Sequence, residues 1–452
     1  GRTFLANQTV TVEDGQITAI GGGGPADFSV WALTPGLVDL HCHGGQGFDS
    51  ELNERPLPEF LTILLCHGVT DVLLTLGAEP LPTMRGVAVV QTAMQQQAAG
   101  KLPGAHILGV HLEGPFLSPE RPGAMPPAAL LPPTLAAYQT LVQGYESVIR
   151  QVTLAPELPG ALELGAALAA RGIRVQAGHT DADYETAQRA FSAGFTGLCH
   201  TFNACRPLRH RDPGVVAAAL LDPNVTTECI CDLVHLHPAA LQLVYHMKGP
   251  EAMIAVSDSV ATHGLPDGRY TVAGQDYIVQ NGVAAAQTAP WDGGGVYLDG
   301  AVRNLQSIGI PAQDACLMAS TTPAALLGLP RTIHPGHPAV LVGWSEGWQV
   351  EGYGEIVRRE ELGIACEDEI RHRLTGTLYR NLQNGARLCL TVGQGYPTPP
   401  RQCPIPRYKD VVTSIPRIQN VLWVLINNEP DIPERRFAPR STNIILYSLF
   451  FF

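Results

Sequence analysis

The chain has 452 residues, 45% of them hydrophobic and 15% charged, with a formal net charge of −12. That apolar content and a mean hydropathy of +0.07 exclude a disordered chain. Ten cysteines over this length exclude a small disulfide scaffold, and the acidic balance excludes a nucleic-acid binder, whose footprint is basic. The most apolar stretch, 443–452, is about half of the roughly 20 residues that cross a bilayer. No charged, apolar, then small-residue signal opens the sequence, so a cytoplasmic protein without a membrane partner is expected. Only three lysines are present, Lys101, Lys248 and Lys409, which leaves few candidates for Schiff bases, phosphate loops or carbamate metal bridges.

Along the chain, TVTVEDGQITAIG alternates around an Asp-Gly turn and predicts a hairpin. Eight short β-branched or apolar runs follow. They are LVDLHCH (37–43), VTDVLLTL (69–76), HILGVHLEG (106–114), VIRQVTLAPE (148–157), IRVQAGHT (173–180), TGLCHTF (196–202), TECICDL (227–233) and MIAVSDS (253–259). Ala-rich helical patterns separate them, as at 161–171, 184–193 and 238–246. Strand alternating with helix predicts a parallel sheet, and eight units predict an α/β fold closed as a (β/α)8 TIM-like barrel, with an open doubly wound sheet as the alternative. A β-rich pattern returns at 338–357. The expected division is a barrel over 36–324 and a small β-sandwich domain built from its two flanks, 1–35 and 325–360. An irregular tail follows at 361–452, which holds 11 Lys/Arg against 8 Asp/Glu and has no clear periodicity.

Polar residues gather at the C-terminal ends of the expected strands, where a barrel carries its active site. These are His41 and His43, Glu113, His179, His200, Asp232 with His235 just beyond, and Asp258. Alternation puts His41 and His43 on one face and turns Cys42 the other way, into the core. A lone strand-end histidine is ordinarily structural, and so His106, His111, His246 and His334 are read. Cys229 and Cys231, with no second pair, are a weak metal signal. Histidines and carboxylates at the same end of six of eight strands are a different matter. Glu113, His179 and His200 suit a divalent metal such as Zn2+ with an open position, which yields hydroxide at neutral pH. Asp258 suits the role of a base beside that water. His41 and His43 could hold a second metal, with Glu113 in place of a carbamylated lysine, because no lysine lies at a strand end.

The motifs PGLVDLHCHGGQGFD (35–49), GVHLEGPFLSPERPGAMPP (109–127), AGHTDADYE (177–185), HTFNACRPLRHRDPG (200–214), CDLVHLHP (231–238), AVSDSVATHG (255–264) and DGAVRN (299–304) occur in order. Over roughly 1–360 the chain resembles the N-acetylglucosamine-6-phosphate deacetylases of the amidohydrolase superfamily. The resemblance implies that Glu113, His179 and His200 are metal ligands and that Asp258 is the catalytic acid/base. It implies substrate contacts at Asn203, Ala204, Arg211 and His235, with Ala124, Asp232 and Gly293 in the same lining. The arginine matching Arg211 holds the sugar phosphate, often across a homodimer interface. Two positions depart from the pattern. Met125 stands where a histidine contacts substrate, and methionine cannot donate a hydrogen bond. Trp291 and Asp292 replace a small-residue segment, and the Asp292 charge would repel a phosphate.

The expected function is removal of the acetyl group from N-acetylglucosamine 6-phosphate, a small-molecule amino-sugar phosphate, by a zinc-type enzyme with one or two metals. The rivals are a related amidohydrolase acting on N-acetylgalactosamine 6-phosphate or another N-acyl substrate, and a non-catalytic protein on the same fold.

Overall fold

The computed structural model describes residues 4–358 and 388–392, apart from 23–25, 27, 51–56, 78, 273–274, 281–282, 287–292 and 355–356. Each of the eight expected runs contains a strand. Leu37–Cys42, Val69–Leu76, His106–Glu113, Ile149–Leu154, Arg174–Ala177, Gly197–Leu198, Thr226–Ile230 and Met253–Val256 lie side by side in chain order, each parallel to the next. The last strand meets the first through the turns that follow them. His43 and Gly44 N–H donate to the Ser259 carbonyl at 2.7 and 2.9 Å, and Asp258 N–H donates to the His41 carbonyl at 2.9 Å. These bonds bring the sheet round into a nearly closed (β/α)8 barrel.

The local chemistry explains the elements. Barrel strands are covered on both faces, so they read as near-continuous apolar runs, and every residue of Val69–Leu76 is buried. The helix Tyr184–Ser192 starts at Asp183, whose carboxylate accepts from Thr186 N–H at 2.8 Å. The helix Pro238–Lys248 opens on a proline, which has no N–H to leave unpaired, and ends at Gly249 with φ of 65°. It runs two residues past the expected end.

The flanks form two four-stranded sheets. Gln8–Glu13 and Gln16–Gly22 make the expected hairpin, with Asp14 and Gly15 at φ of 50° and 70°, as a turn with two left-handed residues requires. Ala32–Pro35 pairs antiparallel with Leu341–Trp344, which pairs in turn with Val350–Gly354, so segments from before and after the barrel meet in one sheet. Val10, Val12, Ile17, Val30, Leu33, Ala339 and Leu341 make a hydrophobic cluster of their own between these flanks. Of the tail, Leu388–Val392 is a strand, antiparallel to Gln8–Glu13 and parallel to Phe28–Val30; the rest of 361–452 lies outside the described residues. Gly36 lies between the strands Ala32–Pro35 and Leu37–Cys42, and a Cβ there would collide with the Thr70 side chain.

At the base of the barrel, Asp71 is fully buried at the start of its strand and takes a two-pronged bond from Arg331, at 2.8 and 2.6 Å. Burial acts to raise the Asp71 pKa, but His106 and Arg331 together hold it below the ordinary value. The carboxylate therefore adds stability above its unfolded value of about 3.9, and that stability is lost as pH falls through the lower folded value. Arg331→Met should cost about 3–5 kcal/mol at neutral pH, because it strands a buried charge. In urea unfolding the deficit should shrink in acid, where Asp71 takes up a proton. A variant as stable as the parent at pH 7 would show that the pair carries nothing.

Candidate active site

The C-terminal ends of the strands bring Glu113, His179 and His200 together. Glu113 Oε1 lies 3.1 Å from His179 Nε2 and 2.9 Å from His200 Nε2, and the two nitrogens are 3.0 Å apart. The other ring nitrogens are fixed from outside. His179 Nδ1 donates to the Arg121 carbonyl and His200 Nδ1 to the Asn203 carbonyl, each at 3.1 Å. A carbonyl only accepts, so in the neutral rings both Nε2 atoms present lone pairs to the same point. Burial acts to raise the Glu113 pKa, yet the imidazoles around it, His41 first, hold it well below the ordinary range. Two lone pairs and an ionised oxygen converging within about 3 Å repel one another unless a cation sits among them. The three side chains form a group able to hold a metal ion, and a ligand set whose outer nitrogens are pinned in this way fits one well.

Glu113 has a second face. Its Oε2 lies 3.0 Å from His43 Nε2, and His41 Nε2 lies 3.2 Å from both His43 Nε2 and Asp258 Oδ1. His41, His43 and Glu113 thus make a second group able to hold a metal, with the carboxylate common to both. Beneath it is a layer that the sequence motifs did not reveal. His41 Nδ1 faces Cys199 Sγ at 3.6 Å and Glu228 Oε2 at 3.5 Å. Glu228 is wholly buried among Arg174, Gln151 and Gln176, and the charges of His41 and Arg174 bring its pKa down to about 2 against the effect of burial. His111, read as structural, has companions: its ring stands edge-on to His41 at 4.6 Å and bonds to Thr75 and Thr153. The only signal for this floor was a pair of charged residues, Arg174 and Glu228, inside strands otherwise read as core.

Several site residues sit on left-handed backbone. His179, His200, Ala204 and Asp258 have φ of 45°, 22°, 47° and 48°. Such angles are costly outside glycine and gather at functional sites. They also change one expectation. The run 196–202 reads as a strand through His200, but the strand is only Gly197–Leu198, and His200 lies in the turn after it. The Thr201 N–H, donating to the Glu228 carbonyl at 2.7 Å, holds that turn against the barrel.

The other expected contacts lie in several loops. A Cβ on Gly123 would lie 2.8 Å from the His179 ring and 3.7 Å from the Ala204 methyl, so the loop carrying Ala124 and Met125 closes over that histidine. Met125 is half-buried, in a turn closed by its N–H on the Pro122 carbonyl. Arg211 is exposed, in a loop braced by Arg206, whose Nε bonds both Asp212 oxygens at 3.0 Å. Asp232 and His235 are joined at 2.8 Å. Gly293 is described, whereas Trp291 and Asp292 lie outside the described residues. Cys42, Cys229 and Cys231 are buried free thiols, and none belongs to a metal-holding group among the described residues. Among the same residues no helix is long and apolar enough to cross a membrane.

Residues 32–357 match the model of the amidohydrolase family. An N-acetylgalactosamine-6-phosphate deacetylase of Escherichia coli O157:H7 is 34% identical over 361 residues, 77% of this chain and 93% of the relative. An N-acetylglucosamine-6-phosphate deacetylase of Vibrio furnissii is 34% identical over 371 residues, 78% of this chain and 90% of the relative. The crystal structure of N-acetyl-D-glucosamine-6-phosphate deacetylase from Mycobacterium smegmatis superposes with a TM-score of 0.72 at 32% identity, covering 79% of this chain and 96% of that one. With a barrel whose strand ends converge on a cluster able to hold a metal, and with relatives matched along nine tenths of their length, the chain belongs to the amidohydrolase family, whose chemistry rests on a divalent metal.

Proposed function

We propose that the chain hydrolyses the N-acetyl group of N-acetylglucosamine 6-phosphate, giving acetate and glucosamine 6-phosphate in amino-sugar catabolism. The observation that carries this reading is the convergence of Glu113, His179 and His200 beside Asp258, in a chain that matches deacetylases of amino-sugar 6-phosphates along most of their length. That the polar set is intact speaks against a non-catalytic protein on this fold. Glu113, His179 and His200 would hold a zinc ion, and His41 and His43 with Glu113 would hold a second where one binds. A divalent cation there supplies Lewis acidity and lowers the pKa of a water.

Asp258 takes a proton from the attacking water as the new C–O bond forms. It returns that proton to the nitrogen as the amide C–N bond breaks. Its side chain is 13% exposed, so it is shielded yet open to the mouth. His235 faces the reacting carbonyl. Burial acts to lower its pKa, but the hydrogen bond to Asp232 and that carboxylate's charge raise it above the ordinary value, which favours an imidazolium able to donate from Nε2. Arg211 offers a fork suited to phosphate oxygens. Asn203, Ala204, Ala124 and Met125 would contact the substrate, and Trp291, Asp292 and Gly293 would do so on the resemblance alone. The division into a barrel over 36–324 and a small domain from 1–35 and 325–360, a homodimer and a cytoplasmic location belong to the same reading.

The test is acetate release from N-acetylglucosamine 6-phosphate by the zinc-loaded chain, with a chelated sample alongside. Turnover that disappears on chelation is expected; a folded, zinc-loaded protein that releases no acetate overturns the reading. The Escherichia coli relative favours a second substrate, N-acetylgalactosamine 6-phosphate. A higher kcat/KM on that epimer would select it.

A further inference from the structure

The Asp232 carboxylate has no free acceptor site. Oδ1 accepts the backbone N–H of Val234 at 2.9 Å and of His235 at 2.8 Å. Oδ2 accepts His235 Nδ1 at 2.8 Å and the backbone N–H of Gly295 at 3.0 Å. A carboxylate has about four lone-pair directions, and four protein donors occupy them. The side chain is also nearly buried, at 1% exposure. A substrate hydroxyl could bond to it only by displacing one of these donors.

The donors come from two parts of the mouth that lie 60 residues apart in sequence. Leu233, at φ of 64°, folds the chain back so that the Val234 and His235 amides point at the carboxylate that precedes them. The same carboxylate accepts from the His235 ring, and since it only accepts, Nδ1 carries the proton and Nε2 is turned outward. The Asp258 carboxylate is close enough to act on the His235 ring. On the other side, Gly295 belongs to a segment held against Asp258: Gly294 N–H donates to the Asp258 carbonyl at 2.7 Å, and His263 Nδ1 donates to the Gly294 carbonyl at 2.9 Å. A Cβ on Gly294 would collide with the Ser257 carbonyl, so this close approach requires glycine.

We propose that Asp232 is a positioning residue rather than a substrate contact: it fixes the His235 imidazole with Nδ1 protonated, and it ties the 293–295 segment to the floor that carries Asp258. The inference rests on the deacetylase reading for its kinetic test alone. Asp232→Asn puts an amide NH2 opposite donors on one side or the other, so two of the four bonds are lost whichever way it turns. The His235 ring then loses its fixed tautomer.

Asp232→Asn, His235→Gln and the double variant are made in the full chain, loaded with zinc. Asp232→Asn should lower kcat/KM for N-acetylglucosamine 6-phosphate by about 10–100-fold, and the double variant should lose clearly less than the product of the two single losses, because one residue acts through the other. Losses that multiply would make Asp232 an independent contact and overturn the proposal. The second measurement needs no substrate. In 15N-histidine spectra at alkaline pH, the signal absent from His235→Gln should show the Nδ1–H tautomer in the parent and shift toward Nε2–H in Asp232→Asn. A parent in the Nε2–H form overturns the proposal even where Asp232→Asn does not fold. No acetate release by the parent would count against the deacetylase reading alone, and the tautomer then decides the role of Asp232.

Discussion

Asp258→Asn should lower kcat by about 10²–10⁴-fold, the usual worth of a positioned acid/base, while the chain keeps its metal. The substitution changes little else. Asparagine has nearly the same shape, and the backbone of residue 258 is held independently of the side chain by its N–H on the His41 carbonyl and by its carbonyl under Gly294 N–H. The left-handed φ of 48° is one that asparagine tolerates as readily as aspartate. What is lost is an oxygen that can take up a proton. Parallel assays of acetate release and of bound metal separate the two effects. Full turnover with metal bound would remove Asp258 from the mechanism, and loss of metal along with activity would make it a ligand instead.

The parts of the molecule that were legible in the sequence are those where one physical signal dominates. A barrel strand buried on both faces must be a short apolar run, and the eight runs stand out because Ala-rich amphipathic stretches separate them. The Asp14-Gly15 turn was legible because few other residue pairs accept positive φ twice in succession. The site residues were legible as a coincidence of residue types at strand ends, sharpened by the resemblance. What stayed hidden has different causes. The turn at His200 looks like strand because Thr201 and Phe202 favour strand, and only tertiary hydrogen bonds impose the left-handed backbone there. Glu228 and Arg174 are charged residues inside strands, and no periodicity says that they meet at 3.1 Å over the one strand between them. The strand Leu388–Val392 was hidden for a third reason. Its partners, Gln8–Glu13 and Phe28–Val30, lie about 380 and 360 residues away, and the surrounding composition gives it no boundary.

Glu113→Gln should remove the metal and lower kcat/KM by more than 10³-fold, because a single carboxylate serves both groups of ligands. Oε1 faces His179 and His200, and Oε2 faces His43. Glutamine keeps the size but brings an NH2 that has no lone pair, so one of the two groups loses a ligand atom whichever way the amide turns. The negative charge that opposes the surrounding imidazoles is lost as well. The parent should be stabilised by added zinc, since a ligand that binds only the folded state contributes about 2.7 kcal/mol at a hundred times its Kd. Glu113→Gln should melt at the same temperature with and without zinc over that range. The comparison matters because the substitution also changes packing charge in a buried site: a lower melting temperature alone would show damage to the fold, whereas loss of the zinc-dependent rise locates the effect at the metal. A variant that keeps both the zinc-dependent rise and acetate release would mean that His179 and His200 hold the ion without Glu113, and the shared-carboxylate arrangement would have to be abandoned.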